Sequence, residues 1–401
     1  MKLLQINCSN KGSTGNIMHS IADGIIARGD KNVICYSFGS VPNVKYNEHK
    51  VSKRIEAAIT NRLSYIVGYL YGFAWFSTLK IIKIIKKEKP DIVHLHCPNS
   101  NINVFRTLKY LKKNKFPTVL TNHCEMFYTA NCPHSYECEK WKSGCGSCEH
   151  LREYARLRKI DRTNVSWNKM FKIYSGFENL AVTSVSGWVY LRSKESTLLG
   201  KFPNYLIENG LDTNIFKFTE DGSSEILTKY KIDKNKKLVL FVVANFTKEK
   251  GKEFFIEIAN KMPEVSFLLV GSNGNETDIP ENVINIGKIN SKEELAKIYS
   301  LADITLLLSK KETFSMVAAE SLCCGTQVVG FKAGGPESIA IPEYSEFCEY
   351  GDISGLISIL ESSLETEITT FERQEISKKA CDKFSNFKMV NSYLEVYDSM
   401  I

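Results

Sequence analysis

Continuous apolar runs recur along this chain, separated by polar loops and by stretches with apolar positions at helical spacing. In the first half the runs fall at residues 3–7, 31–37, 90–96, 117–123 and 180–188, the last entering a helix start. In the second half they fall at 204–209, 237–243, 265–271, 283–289, 303–308 and 328–330. Strands without apolar–polar alternation are buried on both faces, and their alternation with helices predicts α/β architecture with parallel, doubly wound sheets. Helices are predicted from about residue 15 to 28, after Ser291 with capping-box spacing to Glu294, over 317–322 and through 370–401. The polar, basic stretch 150–179 also reads as helical. At 401 residues the chain is longer than one hydrophobic core usually serves, so two domains are expected.

Residues 53–89 break the pattern. Tyr65, Tyr69, Tyr71, Phe73, Trp75 and Phe76 are crowded together, with Lys53, Arg54 and Arg62 before them and Lys80, Lys83, Lys86, Lys87 and Lys89 after. Aromatics flanked by lysines suit a helix lying in a membrane interface. The other reading is a helical hairpin packed on the sheet, which the stripe Ile81, Ile82, Ile84 and Ile85 favours.

Charge sharpens this picture. Residues 1–200 hold 30 Lys+Arg against 14 Asp+Glu, a balance of +16; the remainder hold 22 against 31, a balance of −9. A basic first half predicts that it meets an anionic surface or substrate, unless it is only a lysine-rich soluble surface. No recognisable RNA-binding motif accompanies the basic residues, so nucleic acid is not an expected partner. The opening residues read directly as a strand, so no secretory leader is expected, and no run reaches the roughly 18 apolar residues of a spanning helix. Twelve cysteines in such a chain predict reduced thiols or a metal site.

Candidate chemistry centres on residues 312–320. An apolar strand runs into this stretch and a helix leaves it, so the backbone N–H groups of Ser315, Met316 and Val317 lack helical acceptors. With the positive end of the helix dipole behind them they suit a diphosphate. Glu312 lies on the loop and Glu320 one to two turns into the helix, so the two carboxylates reach different parts of one ligand. A second, shorter glycine loop, Gly12-Ser13-Thr14-Gly15-Asn16, opens the first helix and could cradle an anion. Ligands of open α/β sheets bind beyond the carboxyl ends of strands, which singles out His96, Asn99 and Asn103 after one strand and His123 after the next. Cys132, Cys138, Cys145 and Cys148, the last pair spaced C-x-x-C, suit a tetrahedral structural zinc; free thiols and disulfides are the alternatives. Four thiolates would leave no open position for catalysis.

The order strand, Glu312, Phe314, helix, Glu320, Cys324-Gly325 and Gly334-Gly335-Pro336-Glu337 resembles the donor site of family 4 retaining glycosyltransferases. Their bacterial polysaccharide-biosynthesis members also resemble this chain around Trp141 and Gly144-Cys145-Gly146. The resemblance implies the GT-B fold, two Rossmann-like domains facing a cleft. Landmarks at 180–188 and 204–216 place an acceptor-side domain at 1–198 and a donor domain at 199–385, with 386–401 crossing back to the first. It also implies a nucleotide-diphosphate sugar donor and a glycan or lipid-diphosphate-linked acceptor. The work would be done in O-antigen, capsule or similar synthesis, in the cytoplasm or at the inner face of its membrane.

Residue by residue, the resemblance assigns the ribose to Glu320, the transferred sugar to Glu312, the diphosphate to Lys250 and the base to main chain at Lys288 and Ile289. His123 is assigned to the sugar from the first domain, Gly12 and Gly15 to the phosphates and acceptor, and Phe314 to the donor site. Lys250 and helix N-termini would neutralise the leaving group, with no metal cofactor needed for catalysis. Two positions depart from the family: Asn245 stands where an arginine is usual, and Cys124 where an aspartate follows the histidine. Asn245 can donate a hydrogen bond but brings no charge, which throws the burden on Lys250 or a neighbour such as Lys248. A sugar-nucleotide epimerase of the same fold and a nucleic-acid-binding protein are the alternative functions.

Overall fold

The structure is a computed structural model of the whole chain; it describes every residue except 71, 98–100, 130, 154–159, 273–275 and 277. It divides into two compact units, Met1–Glu208 with Met389–Ile401, and Asn209–Lys388.

The first unit is built on β1 (Lys2–Ser9), β2 (Lys31–Phe38), β3 (Glu48–Lys50), β4 (Ile92–Leu95), β5 (Thr118–Asn122), β6 (Leu180–Ser184) and β7 (Asn204–Leu206). They form one parallel sheet in the order β3-β2-β1-β4-β5-β6-β7. Its helices are α1 (Gly12–Ala27), α2 (Arg54–Val67), α3 (Trp75–Glu88), α4 (Val104–Lys113), α5 (Met126–Thr129), α6 (Thr163–Tyr174) and α7 (Gly187–Glu195). The central strands are buried along almost their whole length, as their unbroken apolar character requires. Because β7 pairs with β6, the unit ends after Glu208, ten residues beyond the expected 198. The run at 204–209 is evident as a strand, but β7 is short and largely exposed, so which unit it joins is not evident from the sequence.

The second unit repeats the plan with β8 (Leu238–Val242), β9 (Ser266–Val270), β10 (Val283–Gly287), β11 (Ile304–Leu307), β12 (Gln327–Phe331) and β13 (Ser345–Cys348). The parallel order is β10-β9-β8-β11-β12-β13. Around it lie α8 (Ser223–Tyr230), α9 (Lys252–Lys261), α10 (Lys292–Leu301), α11 (Met316–Cys323), α12 (Gly335–Ile339), α13 (Ile353–Glu365) and α14 (Thr370–Phe384). Ser291 caps α10 by accepting from the Glu294 N–H, and Thr369 and Glu372 form a capping box on α14. Phe241, Phe255 and Phe267 fill the core under β8 and β9. The last helix, α15 (Asn386–Asp398), belongs to the first unit from Met389 onward. There Met389, Tyr393, Val396 and Tyr397 are buried with Leu3, Ile21, Ile92 and Val119.

In both sheets the strand order reverses direction beside the first strand, between β1 and β4 and between β8 and β11. Loops leaving the carboxyl ends of such neighbours diverge and open a crevice.

Candidate active site

In the second unit the crevice is walled by the loops after β8 and β11. The first carries Asn245 and Lys250, the second Ser309 and Glu312. Gly251 explains how Lys250 is brought in: its φ is +90°, and a Cβ there would lie 2.3 Å from the Leu308 Cβ. Only glycine lets this loop rest against the end of β11. Lys250 Nζ then donates to Glu312 Oε1 at 2.7 Å, and the Ser309 hydroxyl donates to the same oxygen at 2.8 Å. Lys248 instead pairs with Glu253 at 3.0 Å in an exposed position, so of the two it is Lys250 that meets Glu312. Asn245 is exposed, and its carbonyl accepts from the Thr247 N–H.

Glu312 is pinned by backbone. Its N–H donates to Ala333 O and its carbonyl accepts from Gly335 N–H, a bridge between the loop and the Gly334–Gly335 turn. A Cβ on Gly335 would stand 2.4 Å from Phe314 N, so the second glycine is dictated by this close approach. Burial pushes the Glu312 carboxyl up, but the Lys250 charge and hydrogen bonds from Lys250, Ser309 and Ser315 outweigh it and hold the group ionised, below its ordinary range.

Ser315 is the N-cap of α11 and has φ +83°, a conformation that costs a non-glycine residue about 1–3 kcal/mol. Its hydroxyl accepts from the Ala318 N–H at 3.3 Å. Met316 and Val317, the first helical residues, are half-buried and present backbone N–H groups at the helix start. Phe314 is 3% exposed with its ring against Phe384, so its side chain serves the core and only its backbone faces the loop. Glu320, on α11, accepts from the Tyr299 hydroxyl at 3.1 Å; burial pushes its carboxyl up to about 7 despite that bond. Lys288 is exposed and Ile289 half-buried immediately after β10.

The matching crevice of the first unit carries the other sequence candidates. Gly12, at φ +75°, begins α1 and is exposed. Gly15 is buried, and a Cβ there would be 2.7 Å from the Asn10 backbone, so it seats α1 against the loop after β1. His123 follows β5, and its Nε2 lies 3.2 Å from His96 Nδ1. His96 is itself buried, with Nε2 2.8 Å from Gln5 Oε1, and stands behind His123 as a positioning residue. Burial drives the His123 imidazole down to about 3 and His96 well below its usual value, so both are neutral. Cys124, beside His123, reaches the Cys97 thiol, which in turn reaches Cys8. Asn103 is occupied structurally: it caps α4 by accepting from the Arg106 N–H, and its amide donates to the Gly72 carbonyl. Asn99 lies outside the described residues.

Cys132, Cys138, Cys145 and Cys148 are not scattered. All four line one cavity of about 460 Å³, and all are free thiols. The expected zinc knuckle is not closed, however: among the described residues no three His, Cys, Asp or Glu side chains are gathered so as to hold a metal ion. The thiols sit around the cavity wall, fixed by their own loops, as where Cys148 N–H donates to Asp161 and Cys145 Sγ donates to Thr129 O.

Two residues central to this geometry escaped the sequence reading. Ser309 is a short side chain at a strand end, where position beyond β11 was the available signal. Tyr299 is a buried helix residue whose hydroxyl is indistinguishable in sequence from a core aromatic's.

Comparison with known proteins bears on both units. The family model for Glycosyltransferase Family 4 matches residues 14–170, and that for Glycosyl transferases group 1 matches residues 223–381. An uncharacterized 41.2 kDa protein in the cps region of Klebsiella pneumoniae is 23% identical over 346 residues, 80% of this chain and 82% of that protein. Among solved structures, a glycosyltransferase from Rickettsia africae superposes with a TM-score of 0.69 at 16% identity, covering 100% of this chain and 98% of the other. Anabaena HepE in complex with UDP superposes with a TM-score of 0.67 at 16% identity, covering 100% of both chains.

Proposed function

The chain belongs to the family 4, group 1 glycosyltransferases and has their GT-B fold, and from that premise we propose that it transfers a sugar, with retention of anomeric configuration, from a nucleotide-diphosphate sugar to a growing glycan or lipid-diphosphate-linked acceptor. The observation that carries this reading is the Lys250–Glu312–Ser309 cluster beside the start of α11. A cation, a carboxylate and unpartnered backbone N–H groups together suit a diphosphate joined to a polyhydroxylated ring. The UDP-bound neighbour supports a nucleotide donor, and the relative from a cps region supports a cell-surface polysaccharide as product.

In this reading Glu320 accepts hydrogen bonds from the ribose, main chain at Lys288 and Ile289 holds the base, and the Asn245 amide donates to a phosphate oxygen. Lys250 and the first N–H groups of α11 meet the charge that grows on the departing diphosphate, which lowers the barrier only because the charge is larger in the transition state than in the bound donor. Glu312 orients Lys250 and touches the transferred sugar. The loops after β1 and β5, with Gly12, Gly15 and neutral His123, belong to the acceptor side.

A panel of nucleotide sugars, screened by thermal shift and then by release of free nucleoside diphosphate with and without acceptor glycans, tests this. One donor should raise the melting temperature and yield diphosphate only when an acceptor is present, with turnover persisting under chelator. Conversion of the donor alone to an epimer would replace the transferase by an epimerase.

For the four cysteines we propose one structural zinc, a role outside the reaction. The ligand set supports it, four thiols around a single cavity, and binding requires that cavity to contract to thiolate–zinc distances. Metal analysis should find about one zinc per chain, as for a four-ligand structural site, and little after Cys145→Ser with Cys148→Ser. A zinc-free wild type, or full occupancy in that variant, removes the assignment.

A further inference from the structure

Helix α2 is inside out. Its buried residues are the small polar Thr60 and Ser64. Its apolar residues Ile55, Ile59, Leu63 and Ile66, spaced four, four and three apart, are 76%, 55%, 40% and 43% exposed. That spacing draws one stripe along one helix face. In α3 the expected isoleucine stripe is indeed turned inward, with Ile81 and Ile85 fully buried, yet Trp75 and Phe76 at its start are 58% and 76% exposed. Glu56 joins the two: its carboxylate accepts from the N–H groups of Phe76 and Ser77 at 2.9 and 3.1 Å. The link sets the backbone of Phe76 beside the first turn of α2, where the stripe begins with Ile55. Large apolar side chains left open together in this way mark an interaction surface, where single ones would need no explanation.

Charge says what it fits. Residues 53–89 hold 8 Lys+Arg and 2 Asp+Glu. Lys53, Arg54 and Arg62 are exposed around the stripe, and Lys83, Lys86 and Lys87 along α3. Beyond the hairpin, Lys169 donates to the Tyr69 hydroxyl at 2.5 Å and also lines a cavity of about 540 Å³ with Lys109, Lys112, Lys113 and Lys172. Lys169 thus joins Tyr69, just after α2, to the lysines of α4 and α6. An apolar stripe with tryptophan at one end and cations around it is matched by a bilayer interface, apolar below and anionic above. At 14 residues, α2 is about 21 Å long, and no described helix is long and apolar enough to cross a membrane.

We infer that the α2–α3 hairpin docks the enzyme on an anionic lipid surface, α2 lying in the plane with Ile55, Ile59, Leu63, Ile66, Trp75 and Phe76 inserted and the lysines on the headgroups. The inference stands on the hairpin alone and does not depend on the donor assignment.

The test uses the full chain and sedimentation with vesicles of phosphatidylcholine, with and without phosphatidylglycerol. Binding should require the anionic lipid and fall as salt rises from about 50 to 500 mM, because screening shortens to a few ångströms. Trp75 emission should shift to the blue on binding, with Trp75→Phe as the control. Phe76→Glu should weaken binding about tenfold or more, since a carboxylate replaces an inserted ring, and Lys83→Glu with Lys87→Glu should weaken it without touching the apolar stripe. All four side chains are exposed, so the melting temperature should hold. Equal binding to both vesicle types, no binding to either, or undiminished binding by Phe76→Glu overturns the proposal. So does a dimer, seen by light scattering, that Phe76→Glu dissociates while vesicle binding is absent: the stripe would then face a second copy of the chain.

Discussion

Glu312→Gln is expected to lower turnover by about 10- to 150-fold, the loss of one charged hydrogen bond of roughly 1.5–3 kcal/mol, with little change in the Michaelis constant for the donor. The reason lies in the partners of Glu312. Its carboxylate is held by Lys250 and Ser309. In the proposed reading Lys250 serves the donor diphosphate and Glu312 the transferred sugar, whose charge changes most as the bond breaks. An interaction made only in the transition state lowers turnover and the specificity constant together. Lys250→Ala should be at least as damaging, because it removes the cation from the leaving group and strips Glu312 of its partner. The double variant should then cost clearly less than the product of the two single losses, since residues in contact do not act independently. Steady-state kinetics on the three variants, with folding checked by thermal melt, decides the matter. Near-normal kinetics for Glu312→Gln would make the carboxylate a bystander; strict additivity would remove the coupling.

Glu320 gives a different signature. Glu320→Gln should weaken donor binding by about 10- to 150-fold while leaving turnover at saturating donor close to normal, because the ribose lies away from the breaking bond. The raised carboxyl adds a pH dependence. With its value near 7, about one Glu320 in eleven is ionised at pH 6 and ten in eleven at pH 8, so donor affinity should be about tenfold weaker at pH 6. The Gln variant should lose this slope. A nucleotide sugar is the right probe, since its phosphates have no proton to lose near neutrality. Stability should run the opposite way. The folded value lies above the unfolded one, so the protonated carboxyl favours folding below about pH 4.5, and that contribution is lost as pH rises through about 7. Glu320→Gln should flatten this part of the melting profile. A wild-type affinity that does not change between pH 6 and 8 would detach Glu320 from the ribose.

The features that were legible in the sequence, and those it hid, divide along physical lines. Continuous apolar strands and intervening helices announced both sheets, since burial on two faces forces that composition. Glu312, Glu320 and Lys250 were singled out through a family resemblance; the structure brings Lys250 and Glu312 into contact and places Glu320 on α11 against Tyr299. Asn103 shows the ambiguity: a polar residue past a strand is also what a helix start demands, and here its amide oxygen caps α4 while its amide nitrogen donates to the Gly72 carbonyl. Phe314 was read as a donor contact, but its ring is buried against Phe384, a neighbour 70 residues on that no local pattern reveals. The cysteine spacing suggested a zinc knuckle; the four thiols line one cavity, but spacing along a chain does not fix convergence of side chains. In the hairpin, the aromatic crowding and the isoleucine stripe are both real; they lie on different faces, which a choice between two readings could not express.

The return of the last helix to the first unit also sets an order of assembly during synthesis. Residues 389–401 leave the ribosome after both sheets have been made, yet Met389, Tyr393, Val396 and Tyr397 cover Leu3, Ile21 and Ile92, and the Tyr397 and Tyr393 hydroxyls meet His94 and Thr121. Until they arrive, one face of the first sheet stays wet, forgoing about 1.5–3 kcal/mol for each large apolar side chain left uncovered. The second unit, contiguous from 209 to 388, has all its residues before that moment. Of the two units, the one whose strands are made earlier is thus completed after the other, reversing the usual vectorial sequence in which a domain folds ahead of its carboxyl-terminal neighbour.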